Sequence, residues 1–229
     1  MSSRTIGFWA AVTLSLLSLV ALLVSVTTLP RSGPSCTFET CVTYPYTDIA
    51  AYFPRDYYWM VPATLLLVPF LIVMAWISEN ARAELKALSL AGLAFAAMAV
   101  SILATTYFIQ LTVIQTSVER GELEALSLIS QYNPHGVFIA LESIGYLVMS
   151  VSLLLTAPAI PGKGALVSAV RLTFLAAFIL SATFLVALVA IYGTDLEYRF
   201  EIAVISINWL ALIIGGGFMS FLLRSSAAR

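Results

Sequence analysis

Six long apolar runs separated by short polar connections organise the chain, at about 6–29, 58–77, 87–115, 136–157, 167–192 and 202–223. Each reaches the roughly 20 residues that a helix needs to cross a hydrocarbon core. Lipid offers no hydrogen bonds to a backbone, so a run of this length must satisfy its N–H and C=O groups internally, as a helix does. A barrel would instead give short segments of alternating polarity, and none occurs. The pattern predicts an all-α fold, a single six-span transmembrane domain over 1–229. The first run follows Arg4 as a signal peptide would. Its apolar core exceeds the about 7–15 residues of a signal sequence, and no small-x-small cleavage pattern follows it, so it is read as a retained helix.

The connections set orientation. With six spans both termini share a side, which then carries Arg4, Arg82, Lys86, Lys163, Arg171, Arg224 and Arg229, against Arg31, Arg55, Arg120 and Arg199 on the other. Basic residues concentrate on the cytoplasmic side, so the termini are expected there. The connections "SENARAELK" and "APAIPGKGA" are short enough to join antiparallel neighbours. The first external loop contains Cys36 and Cys41, for which an oxidising exterior favours a disulfide, two free thiols being the alternative. Its exit, "AYFPRDYYWM", places Tyr57, Tyr58 and Trp59 at headgroup level. In the second external loop Thr116 and Glu119 fit a capping box, and Leu123, Leu126 and Ile129 recur at helical spacing. A short amphipathic helix over about 119–130 is expected, either a lid over a pocket or a packed connector. Gly92 with Ala96, and Gly216 with Ser220, fit the small-xxx-small spacing of close helix contacts. No match between the two three-span halves supports an inverted repeat.

Composition narrows the chemistry. The chain is 61% hydrophobic and 10% charged, with formal net charge −1, which excludes the basic footprint that nucleic acid requires. One histidine, His135, rules out bis-histidine haem ligation and a multi-histidine metal centre within the chain. The two lysines flank spans, leaving no candidate for a buried Schiff base. No phosphate loop, nucleophile elbow or zinc-protease motif occurs. No cofactor and no metal site are expected.

What remains is a set of polar residues inside the apolar runs. Counted at 1.5 Å per residue from the outer boundary, Glu142 lies about 9 Å deep, Gln110 about 8 Å and Asn208 about 9 Å. Three polar side chains on three spans therefore share one level. His135, Glu142 and Tyr146, spaced by seven and four, share a stripe of span four, and Tyr107 shares a face with Gln110 on span three. His135 is about 10 Å along the helix from Glu142, beyond a direct hydrogen bond. A charged carboxylate at the membrane centre costs at most about 2.5–3.5 kcal/mol on insertion scales. Such a group must find polar partners, reach external water or keep its proton. Three readings are open: a buried hydrogen-bond knot without ligand, an outward pocket lined by Glu142, Gln110, Asn208, Tyr107, Tyr146 and His135, or an enzyme using Glu142 as acid or base.

The stretches "YFIQLTVIQTSVERGELEALSL" and "YNPHGVFIALESIGYLVMSVSLL" resemble segments of a family of small multi-span prokaryotic membrane proteins. The resemblance spans the middle third, implies a bacterial or archaeal cytoplasmic membrane protein and transfers no activity. The cysteine-bearing loop lies outside it. The sequence thus leads to a non-enzymatic role, binding a lipid or small molecule between spans three, four and six or serving as a membrane accessory. The alternatives are a transporter of a small molecule or ion using Glu142, and then an intramembrane enzyme. Partners compatible with it are membrane lipids, a small-molecule ligand, another membrane protein or a second copy. The inner halves of these spans are almost wholly Leu, Ala, Val and Gly, which favours a dead-end pocket over a channel.

Overall fold

The computed structural model describes residues 2–28, 31–36, 41–124 and 126–225, and these are helical with no strand among them. Six helices are long and apolar enough to span a membrane: α1 (Ser3–Ser25), α2 (Arg55–Glu79), α3 (Ala83–Arg120), α4 (Val137–Ala159), α5 (Ala165–Tyr192) and α6 (Glu197–Arg224). They match the six apolar runs, extending several beyond the expected ends. The apolar run defines where lipid begins; a helix continues until its caps are satisfied.

Local sequence explains the ends and breaks. Ser2 caps α1 by accepting from the Thr5 amide. Within α2 the regular helix is interrupted at Leu66 between Met60–Leu65 and Leu67–Glu79. Pro69 lacks an amide hydrogen and its ring crowds the carbonyl of Leu65, which accounts for the interruption. In α3 the segment Ile109–Ile114 widens to a π-helix. The helix then runs on to Arg120 and stops at Gly121, whose φ of +72° and the Glu122 N–H to Ser117 O bond make a left-handed C-terminal cap. Thr116 and Glu119 therefore lie inside the last turns of α3 rather than opening a new helix. Among the described residues of the expected 119–130 segment, helix occurs at Glu119 and Arg120, the end of α3, and in the single turn Leu126–Ile129.

Helices α1, α2, α3, α4 and α6 pack in sequence around a common core, α6 closing on α1, while α5 lies against α4 and α6 at the periphery. Small residues set the closest approaches. A Cβ at Gly92 would stand 2.5 Å from Thr156 Cγ2, and the Ser152 hydroxyl donates to the Gly92 carbonyl at 2.8 Å. On α6, Gly216 backs onto the Ala11 carbonyl and Ser15 of α1. Both expected small-residue contacts are thus helix–helix seams, where van der Waals packing replaces the hydrophobic force that lipid does not supply.

The two ends of the bundle differ. At one, the Arg4 guanidinium donates to the Leu223 carbonyl and the Ser3 hydroxyl to Glu79, tying the start of α1 to the ends of α6 and α2. At the other, the connections form a polar cover. Cys36 and Cys41 are disulfide-bonded there. The Arg31 guanidinium donates to Asp56, and Tyr132 Oη donates to the same carboxylate at 3.1 Å. Arg31 also lies over the Tyr52 ring, 4.1 Å from its centroid. The Tyr198 hydroxyl donates to the Gln131 carbonyl at 3.0 Å and sits 2.7 Å from the Ser32 hydroxyl. The loops and the start of α6 are therefore tied into one unit.

Candidate functional site

Glu142 lies on the inward face of α4 with no exposed surface. Its Oε1 accepts from Tyr107 Oη of α3 at 2.5 Å. The Tyr107 and Tyr146 hydroxyls are 2.9 Å apart, and the Trp209 indole N–H of α6 donates to Tyr146 Oη at 2.7 Å. Each hydroxyl has one proton to give. Because Tyr107 spends its proton on Glu142, Tyr146 must donate to Tyr107, so the chain runs one way: Trp209 to Tyr146 to Tyr107 to Glu142. Aromatic edges enclose it. Trp59 packs against both Tyr107 and Trp209 with centroids 5.6 and 6.0 Å apart, and Phe138 stands 6.5 Å from Tyr107.

The second oxygen, Glu142 Oε2, is buried and has no hydrogen-bond partner among the described residues. The carboxyl of Glu201 is close enough to interact directly with that of Glu142. Glu201 is 7% exposed. It also lines a cavity of about 340 Å³ that lies under the polar cover. Leu22 and Ser25 of α1 with Val26 just beyond its end, and Ile202, Ile205 and Ser206 of α6, make its two long walls. Trp59, Phe138 and Trp209 supply aromatic surface, and Arg31, Asp56, Gln131, Tyr132 and Tyr198 reach it from the cover.

The electrostatics of the cover are balanced internally. Hydrogen bonding to Asp56 holds the Arg31 proton more tightly than usual, against the opposing effect of partial burial. Burial, reinforced by the neighbouring Tyr57 phenol and the Asp56 carboxylate, pushes the Tyr132 phenol above its ordinary range, keeping it a neutral donor. Arg31 and Asp56 thus satisfy one another. Among the described residues no lysine or arginine forms an ion pair with Glu142 or Glu201.

The residues expected to converge divide among three places. Tyr107 and Tyr146 meet Glu142. Gln110 instead faces the loop: its Nε2 donates to the Ile129 carbonyl at 2.6 Å and its Oε1 accepts from the Gln131 amide. The π-helical segment that contains Gln110 alters the register that linked it to Tyr107. Asn208 joins a separate knot, its Nδ2 donating to Ser150 Oγ at 2.9 Å, while Ser150 and Ser181 hydroxyls lie 3.0 Å apart. His135 is at the exposed loop end, with Nδ1 3.6 Å from Asp195 and Nε2 3.8 Å from Glu197. These three side chains offer ligand atoms within 4.8 Å of one another, but one Glu197 oxygen already accepts from Arg199 at 2.5 Å. Depth puts the polar residues at one level; rotation about each helix axis separates them.

Glu201, Trp59 and Trp209 are not among the site residues that the sequence singles out. The sixth apolar run begins at Ile202, which leaves Glu201 outside the span. The signal is present in the spacing, because Glu201, Ile205, Asn208 and Trp209 fall at intervals of four, seven and eight on one helical face. Nor does the cavity lie between the third, fourth and sixth spans as expected. It lies between α1 and α6, with the start of α2 and Phe138 of α4 contributing. In comparison with known proteins, the chain matches no family model, no curated protein and no solved structure.

Proposed function

We propose that this is a multi-pass membrane protein of the prokaryotic cytoplasmic membrane, termini inside, whose outer half binds a small, partly apolar molecule or lipid without transforming it. The observation that carries this reading is the cavity between α1 and α6, where aromatic and aliphatic walls meet a few oriented polar groups. Binding sites for small molecules have this composition. The packing nearer the termini supports a dead end: Phe70 of α2, Met149 and Leu153 of α4 and Leu212 of α6 are buried and apolar. The buried polar groups farther along, Ser152 and Thr156, bond to backbone within the helix seam.

The reading is tested with purified protein in nanodiscs, titrating 4-fluorophenethyl alcohol and following its 19F resonance. Saturable binding is expected in the parent protein. Ile205→Trp, which fills the cavity wall, should abolish it while the protein keeps its melting temperature. Equal titration of both proteins, or no saturable component in the parent, overturns the reading.

A further inference from the structure

We infer that the cavity takes an organic cation, whose ammonium group docks on the carboxyl pair Glu201 and Glu142 while its apolar body lies against Trp59 and Trp209. This rests on the binding role proposed above and adds the ligand's charge, donors and route of entry. The first support is charge accounting over the cavity wall. Of its one guanidinium and two carboxyl groups, Arg31 and Asp56 neutralise each other, and Glu201 is left with no cationic partner among the described residues. An acid held away from water without a counter-charge is costly, and a bound cation removes that cost.

The second support is donor accounting, which is independent of charge. Glu142 Oε2 is fully buried with no hydrogen-bond partner among the described residues, and the Glu142 carboxyl lies within interaction range of the Glu201 carboxyl. The nearby protein donors are committed: Tyr107 to Glu142 Oε1, Tyr146 to Tyr107, and Trp209 to Tyr146. Glu201 thus brings carboxyl oxygens to the cavity wall, while the neighbouring tyrosine and indole donors are spent inside the core. A ligand that completes the site brings N–H groups, as a primary ammonium does with three. A carboxylate or phosphate would set acceptors against acceptors.

The third support concerns shape. Trp59 and Trp209, two indoles 6.0 Å apart, lie on the same cavity. Such surfaces favour an apolar body and attract a cation held near their faces. The exposed residues of the wall, Val26 at 67% and Ile202 at 44%, are both aliphatic and stand at the end of α1 and on α6 respectively. The rim is therefore apolar on the sides of the two long walls, suited to a molecule that partitions into the membrane interface before entering between these helices.

The test titrates three probes of one shape into the full-length protein in nanodiscs made of neutral lipid: 4-fluorophenethylammonium, 4-fluorophenethyl alcohol and 4-fluorophenylacetate. The ammonium should bind about tenfold or more tightly than the alcohol, and the phenylacetate should show no saturable binding. Glu201→Gln preserves shape but removes the charge, and should lower the ammonium-to-alcohol affinity ratio about tenfold; Glu142→Gln should lower it in the same direction. Melting temperature and near-ultraviolet circular dichroism verify that each variant is folded. Equal affinity for ammonium and alcohol in the parent overturns the cation assignment, as does a preference that survives both substitutions. Preferential phenylacetate binding overturns it in favour of Arg31. In each of these outcomes alcohol binding that is sensitive to Ile205→Trp leaves the cavity reading intact. Absence of binding by all three probes removes both.

Discussion

The carboxyl groups of Glu142 of α4 and Glu201 of α6 lie within direct interaction range, the first sealed in the core and the second forming part of a cavity wall. That relationship connects an internal hydrogen-bond chain to a space a ligand can enter. Glu142 is held by Tyr107 from one side, so its free oxygen is presented in a fixed direction rather than by a mobile side chain. Fixing an acceptor before the ligand arrives reduces the ordering cost of binding.

Tyr107→Phe should reveal how much that fixing contributes. It deletes the donor to Glu142 and leaves the Tyr146 hydroxyl without its acceptor, in a site with no water-facing surface at Tyr107. A loss of about 1–2 kcal/mol is expected in a reversible unfolding measurement in detergent. Unchanged stability would mean the hydroxyl chain does not hold α3, α4 and α6 together.

At the α3–α4 seam, Gly92→Val should be destabilising by about 1–3 kcal/mol, because its Cβ alone would meet Thr156 Cγ2 at 2.5 Å. Gly164→Ala makes an informative comparison. Its Cβ meets nothing within 4 Å, so only its φ of +108° opposes the change. A larger effect at Gly164 than at Gly92, measured by thermal unfolding, would contradict close packing as the reason for glycine in α3.

Much of this fold is legible in sequence because lipid imposes a simple rule: long apolar runs become helices, and all six do. The small residues at Gly92 and Gly216 are equally readable, since spacing on a helix directly encodes which positions can approach a neighbour. The site is only half readable. Glu142 with Tyr107 and Tyr146 emerges from depth and stripe, but Gln110 and Asn208 share the depth without sharing the direction. Direction depends on how each helix is rotated and on the π-helical segment at Ile109–Ile114, which hydropathy does not encode. Glu201 is hidden because an acid at the edge of an apolar run resembles a loop residue until the helix is seen to begin at Glu197.

The cover should respond to alkaline pH in a defined direction. Burial raises the Tyr132 phenol above its unfolded value near 10, so its contribution is fully present below about pH 10 and is lost as the pH rises through the folded value. Stability should therefore be insensitive to Tyr132 titration between about pH 7 and 10 and fall above that. Tyr132→Phe should lose the hydrogen bond to Asp56, costing about 0.5–1.5 kcal/mol at neutral pH, and flatten the alkaline decline. An identical decline in the variant, followed by tryptophan fluorescence during unfolding, would assign it elsewhere.

Orientation is tested through Cys36 and Cys41, the chain's two cysteines. Right-side-out vesicles treated with a membrane-impermeant maleimide should label neither residue until an impermeant reductant is added outside, and both thereafter. Labelling only from the inner side would invert the topology and place the cavity toward the cytoplasm. Replacing both cysteines by serine should have a modest effect on stability, since a ring this short constrains little of the unfolded chain.

The most direct measurement is the structure of the protein bound to 4-iodophenethylammonium, with the iodine located by its anomalous signal. The ammonium nitrogen is predicted within about 3 Å of a Glu201 oxygen, as charge-assisted hydrogen bonding requires, with the iodinated ring beside Trp59 and Trp209. Iodine found at the lipid-facing surface alone, or in the cavity with the nitrogen turned toward Asp56 and away from Glu201, would contradict the carboxyl pair as the cation's site.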